Sequence, residues 1–122
     1  MNVPPAIIGV GRNYALHASE MGADLSDDLV VFMKNPASVI PNGAPIIIPA
    51  CCNGEDQVDY EGELAVQLSR DCRNVTESEA LAYVSGYAVA NDITARLWQK
   101  SGSGGQWTRG KSFDTFCPIT TF

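Results

Sequence analysis

Histidine is nearly absent from this chain: one residue in 122, His17. The four cysteines, Cys51, Cys52, Cys72 and Cys117, form no C-x-x-C pair and have no histidines beside them. That argues against a zinc centre and against a disulfide framework, and predicts reduced thiols. Positive charge is also scarce. Eight Lys and Arg against 14 Asp and Glu give a net charge of −6, and the basic residues are scattered. A nucleic-acid surface or an anionic membrane is therefore a poor partner. No apolar run approaches a membrane span. The opening MNVPPAIIGVG lacks both the basic leader and the apolar length of a signal peptide, so the expected compartment is the cytoplasm. No repeat or low-complexity stretch is evident. What remains is a 45% hydrophobic composition over one domain's length, residues 1–122.

The most informative stretch is Val58–Leu68, VDYEGELAVQL. As a strand it alternates between two faces. Val58, Tyr60, Gly62, Leu64, Val66 and Leu68 form one, expected to join a core. Asp59, Glu61, Glu63, Ala65 and Gln67 form the other, with three carboxylates over about 13 Å at roughly 3.3 Å per residue. Like charges that close call for a cation between them, and a hard divalent ion prefers oxygen ligands. An amphipathic strand with its polar side in water is the plainer alternative, and this stretch alone leaves both open.

Other elements follow from local pattern. Ala6–Val10, Leu29–Met33, Ala44–Pro49, Tyr87–Asn91 and Cys117–Phe122 read as short strands. Ala15–Met21 reads as a short helix stopped by Gly22, with His17 and Glu20 on one face. Thr76-Glu77-Ser78-Glu79 has capping-box form before a short helix through Ala80–Val84. Lys34, just after a strand, reads by itself as a surface residue. Thr94–Lys100 reads as a helical turn that puts Arg96 beside Asp92. The class is mainly β with a few short helices.

Glu61, Glu63 and Asp92 make an oxygen-only set, suited to Mg²⁺, Mn²⁺ or Ca²⁺ and not to zinc. Lys111 and Arg96 would add positive charge for an anionic substrate, and His17 with Glu20 would add a base. Together they suit metal-assisted chemistry on a keto acid, through an enolate formed when a neighbouring C–C bond breaks.

GRNYALHASEMG, FMKNPAS, VDYEGELAVQL, GYAVANDITAR and RGKSFDTFCPI resemble, in this order, successive motifs of the fumarylacetoacetate hydrolase family. The resemblance is greatest to its short branch of acylpyruvate hydrolases and oxaloacetate decarboxylases, and runs from about residue 7 to 122. It implies Glu61, Glu63 and Asp92 as ligands of Mg²⁺ or Mn²⁺. It implies Lys111 as a substrate contact near the metal, and His17 with Glu20 as the water-activating dyad. Arg12, Lys34 and Arg96 fall in family motifs as candidate substrate-binding residues. The implied fold is a mixed β-sandwich or rolled sheet, usually a homodimer, acting on a small keto acid. The chain is shorter than members of that branch. It lacks their later strands and glycine-threonine-proline loop, so a C-terminally truncated member is expected.

Two functional classes follow. The first is an enzyme cleaving a C–C bond in an acylpyruvate, with decarboxylation of oxaloacetate or isomerisation of a hydroxy-dienoate as variants on the same metal. The second is a module that binds metal, or merely dimerises, without turnover. A Ca²⁺-stabilised β domain is a weaker third.

Overall fold

The computed structural model describes residues 3–14, 29–52, 58–100 and 104–122. The structure is mostly strands with a few short helices. β1 (Ile7–Gly11) pairs antiparallel with β2 (Val30–Lys34) as a two-stranded sheet. β3 (Val39–Pro41), β5 (Gly62–Leu68), β6 (Val84–Asn91) and β8 (Cys117–Ile119) form a mixed sheet in the order β3-β8-β6-β5. Only the β3–β8 pair in it is parallel. β4 (Val58–Asp59) and β7 (Thr94–Ala95) pair as a two-residue ladder. Among the described residues there are also three single-turn α-helices, α1 (Glu77–Ala80), α2 (Arg96–Gln99) and α3 (Trp107–Gly110), and three short 3-10 turns. Among the described residues no helix is long and apolar enough to cross a membrane.

Several expected elements shift. Val58–Leu68 is interrupted at Tyr60 and Glu61, giving β4 and β5 in place of one strand. Residues 44–49 carry no strand, and the short β3 precedes them instead. The strand expected over Cys117–Phe122 ends at Ile119. In the capping box the Thr76 side chain does not cap the Glu79 amide. The Glu79 amide bonds the Thr76 carbonyl, while the Thr76 hydroxyl donates to the Glu79 carboxylate at 2.6 Å. The cysteines are thiols.

The main correction concerns which face of β5 points inward. Leu64, Val66 and Leu68, expected in the core, are exposed, as are their cross-strand partners Val89 and Tyr87 on β6. The inner face carries small residues. Ala65, Ala88 and Ala90 pack with Cys117 and Ile119, against Ile7 and Val39. Alternation defines two faces but not their orientation. Here the short side chains permit close packing, and Glu63 shares their side of the strand. A second cluster, Cys52, Ile93, Ala95 and Phe116, is flanked by Val58, Trp98 and Phe113. Ile93 and Ala95, at the end of the sequence that also carries Asp92 and Thr94, root the functional residues in this core.

Candidate functional site

Backbone pairing brings the first two carboxylates together. The β5–β6 register sets Gly62 opposite Asn91. One step beyond, the Asp92 amide donates to the Glu61 carbonyl at 2.8 Å, and the Asn91 side chain accepts from the Glu61 amide at 3.0 Å. Asp92 therefore lies beside Glu61 although 31 positions separate them in the sequence. Glu63 follows on the inner side of β5, opposite Ala90.

Lys111 supplies the cation between them. It ends α3, where its amide bonds the Trp107 carbonyl at 3.1 Å, and its side chain is buried. Its Nζ lies 2.8 Å from Oε2 of Glu61, 2.6 Å from Oδ2 of Asp92 and 2.8 Å from the hydroxyl oxygen of Thr94. Thr94 in turn donates to the Asp92 carbonyl at 2.9 Å. Three acceptors meet the three protons of the ammonium group. The Lys111 ammonium also stands 4.9 Å from the centre of the Phe32 ring.

Two further cations close the cluster. Lys34 is buried, not at the surface, and donates to Oδ1 of Asp92 at 2.6 Å. Arg96 reaches Oε1 of Glu61 and Oδ2 of Asp59, at 2.6 and 2.7 Å. The structure therefore turns Arg96 toward Asp59 and Glu61, whereas the local sequence reading paired it with Asp92. Arg12 is exposed in the turn after β1, with a left-handed backbone at φ 57°. His17 and Glu20 lie outside the described residues.

The local charges set the ionisation of the carboxylates. Burial alone would raise Glu61, but hydrogen bonding and attraction from Lys111, then Arg96, hold it below the usual carboxylate range. Glu63 is pushed up by burial, with Glu61 and Asp92 adding to the effect, while a hydrogen bond from Tyr14 opposes it. Burial lowers Lys34, against the pull of Asp92. Among the described residues, Lys111 and Arg96 both form ion pairs with Glu61 and no cation forms one with Glu63.

Among the described residues no group of three or more His, Cys, Asp or Glu is set to hold a metal ion. The donor chemistry nonetheless fits a hard divalent cation. Glu61 and Asp92 already aim one oxygen each at a shared cationic centre, every donor is oxygen, and Glu63 on the same side forms no ion pair among the described residues. Tyr14, Thr94 and Gln99 join this network without having been singled out in the sequence, and Asp59, one of the three carboxylates of the polar face, joins it through Arg96. The Tyr14 oxygen accepts from the Leu64 amide at 3.3 Å, and Gln99 accepts from Arg96 at 3.0 Å. The only sequence signals for Thr94 and Gln99 are their places within and just after the NDITAR run.

Residues 6–122 match a family model described as "Fumarylacetoacetate (FAA) hydrolase C-terminal". A protein of Archaeoglobus fulgidus is 48% identical over 117 residues, covering 96% of this chain and 45% of that protein. The mitochondrial oxaloacetate tautomerase of Xenopus laevis is 39% identical over 116 residues, covering 95% of this chain and 35% of its own length. Among solved structures, 5-carboxymethyl-2-hydroxymuconate delta-isomerase from Mycobacterium smegmatis superposes with a TM-score of 0.81 at 40% identity. That match covers 96% of this chain and 45% of the isomerase. The chain thus spans less than half the length of these relatives.

Proposed function

The chain belongs to the fumarylacetoacetate hydrolase family, and on that premise we propose that its carboxylate–lysine cluster binds a 2-oxo acid and stabilises the enolate formed from it. The observation that carries this reading is the position of Lys111, with its ammonium group shared between Glu61 and Asp92. Members of this family are enzymes, among them isomerases, tautomerases and hydrolases. An enolate is common to the chemistry in all these names, because each moves a proton or breaks a bond next to a carbonyl.

A divalent ion, Mg²⁺ or Mn²⁺, held by Glu61, Glu63 and Asp92 would supply Lewis acidity to the substrate's oxo and carboxylate oxygens. The chain's own groups supply the rest. Lys111 has a preset ammonium donor for the oxygen on which negative charge develops. Arg96 fixes Oε1 of Glu61 and leaves Oε2 turned to Lys111. Thr94 keeps the Lys111 head at the level of the two carboxylates.

The finer reading is hydrolysis of an acylpyruvate. His17, oriented by Glu20, takes a proton from water; the resulting hydroxide attacks the distal carbonyl, and the pyruvate portion leaves as its enolate. A second reading is favoured by the relatives named as a tautomerase and an isomerase: proton transfer with no C–C bond broken. Decarboxylation of oxaloacetate would release the same enolate. A metal-binding module without turnover is the alternative outside enzymology.

Parallel assays on this chain test these readings, each with Mg²⁺ and with EDTA. They are acetylpyruvate cleavage, oxaloacetate keto–enol exchange and CO₂ release from oxaloacetate. The expected result is at least one activity, abolished by EDTA and by Lys111→Met. Cleavage lost in His17→Ala selects the hydrolase, and keto–enol exchange that survives His17→Ala selects the tautomerase. Mn²⁺ binding with no turnover in any assay would leave the module.

A further inference from the structure

Two ammonium groups share Asp92, and their surroundings differ. Lys111 takes Oδ2 and gives its remaining protons to side chains, those of Glu61 and Thr94. Lys34 takes Oδ1 and gives its remaining protons to backbone: the Ile93 carbonyl at 3.4 Å and the Lys111 carbonyl. Lys34 is 4% exposed, at the end of β2, with all three protons assigned to acceptors. Its partners are fixed parts of the fold, and it has nothing to exchange with solvent or a ligand. The partners of Lys111 are the carboxylates a ligand would engage.

We propose that Lys34 is a positioning residue: it anchors Oδ1 of Asp92 and the backbone of Lys111, so that Oδ2 and the Lys111 ammonium both face Glu61. The functional consequence rests on the enolate reading above. A carboxylate rotates freely about its terminal torsion unless one oxygen is held. Lys34 holds it. Lys34 also remains as the counter-charge of Asp92 when Lys111 turns to a substrate. Without Lys34, that departure would strand a buried anion, which is strongly unfavourable. Lys34 therefore makes Lys111 available.

Mn²⁺ binding to the whole chain, followed through the paramagnetic resonance signal of the free ion, tests the consequence. Lys34→Met is expected to weaken binding by about tenfold or more, as for other groups that orient a metal ligand. Ile119→Ala is the control. It empties part of the core beneath β8 without touching Asp92, and is expected to leave Mn²⁺ affinity within about twofold of the parent. Equal weakening by both variants would overturn the proposal, since Lys34 would then be structural only. So would an unchanged affinity in Lys34→Met.

A metal-free cycle tests the contact itself. Lys34→Met and Asp92→Asn should each lower the urea midpoint, and the double variant, which removes both buried charges, should recover much of the loss. Strictly additive losses would overturn the proposal. If Lys34→Met fails to fold, a folded double variant supports the coupling and an unfolded one overturns it. A parent chain that binds no Mn²⁺ would remove the metal reading, and the cycle would still decide the role of Lys34.

Discussion

Arg96 and Glu61 meet through Nη2 and Oε1 at 2.6 Å, while Lys111 holds the other oxygen of the same carboxylate at 2.8 Å. The guanidinium also reaches Asp59 through Nε at 2.7 Å and Gln99 through Nη1 at 3.0 Å. A planar fork with fixed donor directions makes these contacts together, and a lysine cannot. Arg96→Lys is therefore expected to lower stability by about 1–3 kcal/mol in urea melts, most of it through Glu61. The Asp59 side chain is 46% exposed, so its share is small. Asp59→Asn is expected to stay within about 1 kcal/mol of the parent. A larger loss from Asp59→Asn than from Arg96→Lys would contradict this division.

Gly110 sets the place of Lys111 by having no side chain. A Cβ there would come 2.8 Å from the Gln99 nitrogen and 2.9 Å from the Ala95 oxygen, both backbone atoms. Neither can yield without moving α2 or the end of β7. Gly110→Ala is expected to cost about 1–3 kcal/mol by overpacking. It should also shift the Lys111 side-chain resonances in a ¹⁵N spectrum. Unchanged stability and unchanged resonances would show that α2 and α3 have more room than the structure gives them.

Glu79 provides a pH effect away from the site. The Thr76 hydroxyl, then the Thr76 amide, hold its carboxyl below the ordinary value. A carboxylate depressed in the folded state adds stability above its unfolded pKa, about 4.3, and that stability is lost as pH falls through the lower folded value. Thr76→Val removes the larger contribution. The Glu79 carboxyl, followed by ¹³C titration, is expected to move up toward the ordinary value. An unmoved titration would show that the hydroxyl contact does not persist in solution.

The thiols should divide by burial. Cys51 and Cys72 are exposed, while Cys52 and Cys117 are buried. Burial also raises Cys117, against the attraction of Lys34 and with Asp92 adding to the rise. Alkylation at pH 8 followed by mass spectrometry should show rapid modification at Cys51 and Cys72 only, because the thiolate is the reactive form and access is required. The other two should react when the chain is unfolded.

Strand character and the carboxylate pattern were legible because both are local. E-x-E on alternating positions needs only two neighbours, and Asp92 follows an apolar run that becomes β6. Orientation was not local. The face of β5 bearing Leu64 and Val66 looks like a core face, yet the small residues Ala65 and Ala88 pack inward. That choice depends on β8 and on Ile7 and Val39, which come from distant parts of the chain. The burial of Lys34 was equally hidden. A lysine after a strand normally extends to water, and only the return of the chain 58 residues later places Asp92 against it. Glu61 and Arg96 likewise meet only because β4 pairs with β7.

Asp92 lies between two lysines that belong to the same polypeptide, and Glu61 between a lysine and an arginine. Tethered charges cannot be diluted or chelated away. The mutual repulsion of these carboxylates is therefore answered during folding by the chain itself, independently of how much ion or metabolite the surroundings offer. A visiting cation or acid does not have to gather the cluster. It has only to take over from one lysine a position that is already shaped.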